Sequence, residues 1–354
     1  MRLRLIRTPG IGPITYHQLL ARFGSPQAAL DAVPELARRG GGKAPQIAAR
    51  GMVEREADAV ARLGARYLFR GLGLYPPLLA EIEAAPPALI VKGDPRILEK
   101  PAVAVVGARN ASAAAVRFAR MLCRELGDAG VVVVSGLARG IDTAAHAGSI
   151  DNGTVAVIAG GIDIFYPPEN EALQRAISER GLLVAEQPPG TEPRARHFPY
   201  RNRIIAGIAQ GTVVVEAAPK SGSLITARYA GEYGRDVMAV PGSPLDPRAQ
   251  GCNLLIREGA TLVQSAADII ESLGPYGGRS LAQPGSGFAG QRVTADASDG
   301  DRAAIHALLG PVPVPVDELI RQSGLAPAIV QTVLLELELA GRLERHAGGR
   351  VSLV

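Results

Sequence analysis

The chain has 354 residues, 47% of them apolar and 20% charged, which allows two or three domains with full cores and excludes disorder throughout. Its net charge of +4 is uneven: residues 1–70 hold twelve Lys/Arg against five Asp/Glu, residues 187–235 hold seven against three, and the rest is net acidic, a pattern that fits a polyanion partner. Two cysteines, Cys123 and Cys252, exclude a disulfide framework or thiolate zinc site, and with no secretory or membrane-spanning apolar run a cytoplasmic protein without membrane insertion is expected.

Residues 1–70 carry no strand signal and read as short helices between Gly and Pro. Within them Pro9-Gly10-Ile11-Gly12-Pro13, ahead of ITYHQLLARFGS, is a glycine hairpin entering a helix. Such hairpins present amides to duplex phosphates in helix-hairpin-helix modules, and a plain helix-helix turn has the same sequence.

From residue 101 to about 273 β-rich runs alternate with amphipathic stretches. The runs are AVAVVGA (102–108), VVVVSG (131–136), TVAVIAGG (154–161), LLVAEQ (182–187), TVVVEAA (212–218) and DVMAVPG (236–242). Nearly unbroken apolar runs are strands buried on both faces, and their spacing demands helical crossovers, so an α/β fold with a doubly wound parallel sheet is predicted. Ligands of such sheets bind at the carboxyl ends of the strands.

The loops at those ends hold the chemistry. Gly107-Ala108-Arg109-Asn110-Ala111-Ser112 offers a tight turn, a cation and a cap, with the first helical amides free for an anion. Ser135-Gly136-Leu137-Ala138-Arg139-Gly140-Ile141-Asp142 repeats the pattern one strand on. Asp142 and His146, four apart on a helix, form either an acid/base pair or, preferably, a structural hydrogen bond that fixes the loop.

In the run Arg194 to Gly207, four arginines and a His surround Phe198 and Tyr200. Cations for phosphates and flat faces for unpaired bases occur there together; an aromatic staple with solvated arginines is the competing reading. Farther on, Lys220-Ser221-Gly222-Ser223 forms an anion seat rather than a nucleophile, because no base lies nearby.

Several enzyme classes lack their motifs. The one G-x-G-x-x-G, at Gly285, Gly287 and Gly290, follows no strand and opens no helix, and no P-loop, G-x-S-x-G elbow or metal-spaced His pair occurs. No catalytic residue, metal or cofactor is therefore assigned. Residues 275–300, rich in Gly, Ser, Gln and Asp, read as a flexible linker. The final segment gives RAAIHALLG, VDELIRQSG, APAIVQTVLLELELAG and a two-run β ending, the order of a winged helix-turn-helix. It carries five Arg against six Asp/Glu, with no cation in its would-be recognition helix, which favours protein contact or regulation over duplex reading.

The strings PGIGPITYHQLLARFGS, LYPPLLAEIEAAPPALIVKGD, VAVVGARNAS, VVVSGLARGIDTAAH, TVAVIAGGIDIFYPPEN, HFPYRNRIIAGIAQGTVVVEAAPKSGSLITARYAGEYGRDVMAVPGS and GCNLLIREGA together resemble the DNA-processing protein A family (DprA, also called Smf) over roughly residues 8–264. The resemblance implies a sterile-alpha-motif-like or helix-hairpin-helix-like helical domain (1–70), an extended Rossmann-like, mainly parallel ssDNA-binding domain (71–274), the linker (275–300) and a winged helix (301–354). It also implies a role in natural transformation: binding incoming single-stranded DNA without sequence preference, protecting it, and loading RecA, as a homodimer through the Rossmann-like domain.

By motif, the resemblance places the family's DNA-contacting arginine on Arg109, and its F-P-x-R-N-R contact region on Phe198, Arg201, Asn202 and Arg203. The remaining loops are Ser135 to Asp142 and Ser221 to Ala227. One departure is Ala185-Glu186-Gln187-Pro188, where many relatives have a serine first.

The expected protein is non-enzymatic. Loop residues Gly107, Ser112, Ser135, Gly136, Gly140, Ser221, Gly222 and Ser223, with Arg109, Arg139, Arg201, Arg203 and Lys220, hold phosphates, and bases lie on Phe198. The rival reading is a nucleotide-processing enzyme of the lysine-decarboxylase-like group, whose P-G-G-x-G-T signature is absent here. A pure protein adaptor is the third.

Overall fold

In a computed structural model, residues 1–274, 296–346 and 348–354 are described. They form two compact units, one built from both ends of the chain with its first boundary after Arg55, the other from the middle. Among the described residues no helix is long and apolar enough to cross a membrane.

The terminal unit begins with α1 (Arg2–Arg7), α2 (Pro13–Phe23) and α3 (Pro26–Arg39). Proline opens α2 and α3, and Ser25 caps α3 by accepting from Ala28 N–H at 3.2 Å, both standard N-terminal signals. Next, α4 (Arg50–Arg62) leads into the middle unit.

There the chain alternates β1 (Arg66–Phe69), α5 (Pro77–Glu81), β2 (Ala88–Gly93), β3 (Ala102–Gly107), α6 (Ala113–Asp128), β4 (Val132–Ser135), α7 (Ile141–Ser149), β5 (Thr154–Ile158), α8 (Glu171–Arg180) and β6 (Leu182–Ala185). It continues with α9 (His197–Ile208), β7 (Gly211–Val215), α10 (Gly222–Glu232), β8 (Asp236–Ala239), α11 (Gln250–Arg257), β9 (Thr261–Leu262) and α12 (Ala266–Leu273). The strand order is β1-β2-β6-β5-β4-β3-β7-β8-β9. Strands β3 to β9 pair in parallel, whereas β1 and β2 run antiparallel at one edge.

All six β-rich runs are strands. Alternate residues of β3 enter opposite layers: Ala104 and Val106 join Val134, Val157 and Val214 on one face, and Val103 and Val105 join Val133, Val213 and Leu122 on the other. Burial on both faces is why these runs lack polar alternation. The chain turns back between β3 and β7, and this reversal point is where a doubly wound sheet opens a crevice.

Strand β1 corrects the expectation of a strandless stretch through residue 70. Its four residues pair with β2, Arg66 opposite Val91 and Phe69 opposite Ala88, and such a short edge strand between arginines carries little sequence signal.

In the C-terminal part, α13 (Asp299–Leu308), β10 (Val314–Pro315), α14 (Val316–Ser323), α15 (Pro327–Leu339), β11 (Leu343–His346) and β12 (Arg350–Leu353) form the winged helix. Its small sheet is ordered β10-β12-β11. The expected linker lies outside the described residues through 295, as do Gly285, Gly287 and Gly290. Its last residues are structured instead. Ser298 and Asp301 form a reciprocal capping box that starts α13, and Asp296 pairs with Arg39 at 2.6 Å.

Helix α15 does not present a groove-reading face. Leu335 and Leu339 share a core with Leu5, Leu19, Leu30 and Val33 of the N-terminal helices. Gln18 donates to Gln331 at 2.8 Å, and buried Glu336 pairs with Arg302 at 2.8 Å. The two ends of the chain thus share one core.

Candidate nucleic-acid interface

At the carboxyl ends of β3, β4 and β5 lies a cavity of about 240 Å³ lined by the loops after these strands and by the start of α9. Arg109, Gly136, Leu137, Arg139, Phe198 and Arg201 all line it, together with Ile158, Ile164, Tyr166 and Pro193. The β3 and β4 loops and the arginine-rich run, far apart in sequence, therefore meet.

Backbone packing sets the loops. Gly140 has φ +77°, and a Cβ there would meet the carbonyls of Ala108 and Arg109. Ile141 N–H donates to Ala108 O at 3.2 Å. A Cβ on Gly107 would strike Val215 O and Ile141. Both glycines serve close approach of one backbone to another rather than to a ligand.

Two of the amides at the start of α6, those of Ser112 and Ala115, are not free, contrary to expectation. Glu216, at the end of β7 with φ +53°, accepts from Ser112 N–H at 2.8 Å and from its hydroxyl at 2.6 Å. Ser112 also accepts from Ala115 N–H at 3.1 Å. A protein carboxylate thus occupies the anion position, and Ser112 positions the Arg109 loop instead of holding phosphate. Ser135 is likewise corrected: buried, its hydroxyl donates to Val105 O at 2.6 Å.

Asp142 accepts from Gly136 N–H at 3.2 Å and Ala138 N–H at 3.3 Å, fixing the β4 loop. Burial raises its pKa against the pull of Arg201 and the two amides. The expected contact with His146 does not form.

His146 is fully buried with Nδ1 2.7 Å from Thr154 Oγ1, and its Nε2 has no partner among the described residues. Burial, reinforced by the Arg201 charge, pushes its pKa from 6.5 down to about 3. Below pH 6.5 the unfolded imidazole takes up a proton that the folded one refuses, so stability present above that pH is lost as pH falls toward 3. Between pH 7 and pH 5 the loss is about 2 kcal/mol, at about 1.4 kcal/mol per unit. Chemical unfolding of wild type and His146→Gln at both pH values checks this: the advantage of wild type shrinks on acidification, and a constant difference excludes a neutral buried imidazole.

Arg201 is the unusual group. It is 7% exposed, lies against Gly136, where a Cβ would fall on its guanidinium, and its Nε is buried without a partner. Among the described residues it has no hydrogen-bond acceptor. Burial and the nearby Arg109 charge lower its pKa to about 10, with Asp142 opposing, so it stays charged at neutral pH. Its guanidinium carbon sits 5.9 Å from the Phe198 ring centre and that of Arg109 sits 5.2 Å from the same ring. Tyr166, 45% exposed, adds a second aromatic 5.6 Å from Phe198.

Other expected residues lie elsewhere. Arg203 is 5% exposed and does not line the cavity; it donates to Ala84 O at 2.7 Å and to Glu186 at 2.6 Å. Its cation is already satisfied, so its assignment to phosphate is corrected to a structural one. Asn202 donates to Gly222 O at 3.1 Å, tying α9 to the start of α10.

Exposed Lys220 and Gly222, with Ser221 and Ser223, stand at the end of β7 outside the cavity, and Ser221 caps α10. Arg139 lines the cavity but pairs with Glu169 at 2.5 Å on the surface, a contact weak enough for a phosphate to replace.

The sequence reading gave no role to Tyr166 or Glu216. The adjacent aromatics of IFYPPEN after a strand were the signal for the first; a carboxylate ending a buried apolar strand was the signal for the second. Among the described residues no group of His, Cys, Asp and Glu is placed to hold a metal.

Comparison with known proteins yields a consistent set of matches. Residues 66–274 match the family model for DNA recombination-mediator protein A, residues 1–59 a DprA-like N-terminal HHH domain, and residues 290–349 a DprA winged helix domain. The chain is 40% identical over 285 residues to protein Smf of Escherichia coli, covering 79% of this chain and 75% of that one. It is 48% identical over 198 residues to DNA processing protein DprA of Streptococcus pneumoniae, covering 55% and 70%.

The crystal structure of the S. pneumoniae protein superposes with a TM-score of 0.63 at 37% identity, over 76% of this chain and 94% of that one. A Helicobacter pylori DNA processing protein A, described for its single-stranded DNA binding mode, gives 0.54 at 27% identity, over 59% and 95%.

Proposed function

The chain belongs to the DNA recombination-mediator protein A family and is a DNA-processing protein, and from that premise we propose that it binds single-stranded DNA without sequence preference at the β3–β5 cavity. One observation carries the reading: Arg201 is a buried cation with no acceptor, beside Arg109 and a pair of aromatic rings. A buried guanidinium without a hydrogen-bond acceptor is costly unless a ligand completes it, and a phosphate flanked by stacked bases supplies both the missing acceptor and a partner for the rings. Its relative's single-stranded DNA binding mode supports the same reading. Guanidinium groups address phosphates rather than base edges, and ring faces stack on any base, which accounts for sequence indifference.

In this proposal the protein is non-enzymatic and cytoplasmic, protects the strand and loads RecA, and works as a homodimer through the Rossmann-like domain. The Arg109, Arg201 and Lys220 cations are available to phosphates, and Arg139 joins them when a phosphate displaces Glu169.

The test is titration of the full chain with oligothymidylate and with mixed-sequence single strands. A saturable complex of equal affinity for both is expected. Log K falls with log salt by about 0.7 per neutralised phosphate, giving a slope of roughly −2 to −3. Absence of a saturable complex at low ionic strength sinks the reading. RecA loading is checked separately by filament assembly on strands coated with this protein.

A further inference from the structure

We propose that the outer face of α6 is a second single-strand contact, a basic track that carries the phosphate backbone out of the cavity. This rests on the single-strand reading above and extends it to a surface no loop motif marks.

Helix α6 starts at Ser112, immediately after the Arg109 loop. At 3.6 residues per turn, residues 113, 117, 120, 121 and 124 fall within about 100° of arc, and from Ala113 to Arg124 the stripe runs about 16 Å. Ala113, Arg117, Arg120, Met121 and Arg124 are all exposed, Met121 by 51%. Its inner face is occupied by Ala115, Ala119, Leu122, Cys123 and Leu126 in the sheet core, and the outer arginines are not part of that core.

These three arginines are unpaired. Elsewhere in this unit Arg96, Arg175, Arg235 and Arg248 each hold a carboxylate. Among the described residues none lies within 4 Å of Arg117, Arg120 or Arg124. Asp128, one turn beyond Arg124 and suited to an i,i+4 pair, instead accepts from Asn152 at 2.6 Å. Glu125 is the other carboxylate on the outer surface of this helix, and it pairs with none of them.

Arg117 with Arg120, and Arg120 with Arg124, are like charges at helical contact spacing, which destabilise an isolated helix. A polyanion laid along the stripe relieves that repulsion. Met121 stands among the three cations and offers an apolar surface against which a base can rest. The stripe is continuous in sequence with the Arg109 loop, so a strand leaving the cavity past Arg109 meets Arg117 within two turns of the helix.

The experiment compares the full-length wild type with the Arg117→Gln, Arg120→Gln, Arg124→Gln triple variant on oligothymidylates of about 6 and about 20 nucleotides, one near the short end of common single-strand site sizes and one beyond their long end. The short strand, held in the cavity, is expected to bind both proteins equally, which also shows that the variant is folded. The long strand is expected to bind the variant about tenfold more weakly near 0.15 M salt, with a slope shallower by about 2. Unchanged long-strand affinity and slope overturn the track, and so does an equal loss on both lengths. The cavity reading fails separately, when Arg109→Ala leaves short-strand binding unchanged.

Discussion

Replacing Arg201 by methionine is expected to weaken single-strand binding by roughly ten- to a hundredfold while leaving the folded protein as stable as before, or more so. A hydrogen bond to a charged group contributes about 1.5–3 kcal/mol, and a bound phosphate would give this guanidinium an acceptor that the protein itself withholds. Without ligand the same group stands in a buried position with no acceptor, its Nε orphaned and its charge disfavoured enough to lower its pKa. Replacing a desolvated cation by an apolar side chain of similar length removes that penalty. Asp142 keeps its two backbone amides, so the β4 loop keeps its shape. The Asp142 carboxyl, its pKa already raised by burial and now without the Arg201 charge that favoured ionisation, takes up a proton instead of standing as an isolated charge.

Affinity and stability should therefore move apart, the pattern of a group retained for function. Gly136→Ala should reproduce the loss of affinity, because the new methyl displaces the guanidinium. Arg109→Ala, on an exposed loop residue, should shorten the salt slope by about 0.7 with no change in unfolding. Thermal unfolding alongside titration checks all three. If Arg201→Met lowers stability and binding together, Arg201 is a structural residue and the cavity loses its central cation.

How much of this was legible in sequence depended on which physical pattern each element obeys. Strands β3 to β8 were legible because burial on both faces writes unbroken Val/Ile/Ala runs, such as Val131 to Val134. Strands β1 and β9 escaped because edge strands need no such run. Strand β2, interior between β1 and β6, does carry one in Ala88-Leu89-Ile90-Val91 but stands ahead of the regular alternation that begins at residue 101. Thr261 and Leu262 of β9 are both exposed.

Loop chemistry was legible in kind but not in partner. A serine before an apolar helix announced a cap, and Ser112 is one. Nothing local announced that Glu216, more than a hundred residues later, would fill the adjoining anion position. The arginine-rich run shows the limit most clearly. Arg201 and Arg203 look equivalent in sequence, yet two residues along a helix turn the side chain by about 200°. One guanidinium is carried under the β4 loop and the other to Glu186.

That rotation makes the second large effect opposite in character to the first. Arg203→Met is expected to cost about 2–3 kcal/mol of unfolding free energy and to leave the salt slope of single-strand binding unchanged. The Arg203 side chain is 6% exposed and that of Glu186 is 21%. Removing the cation leaves a largely desolvated carboxylate without its partner and strands the carbonyl of Ala84. Breaking a fully buried ion pair costs about 3–5 kcal/mol, and the partial exposure of Glu186 places this pair below that range.

Arg203→Lys should not restore stability, because one ammonium cannot reproduce the fork that reaches a carbonyl and a carboxylate at once. Adding Glu186→Gln to Arg203→Met should recover part of the loss by removing the orphaned charge. Denaturant unfolding of the two single variants and the double variant measures the coupling, and oligothymidylate titration at several salt concentrations supplies the slope. A shallower slope in Arg203→Met, at unchanged stability, would return Arg203 to the phosphate-binding set and break the division of labour between the two faces of α9.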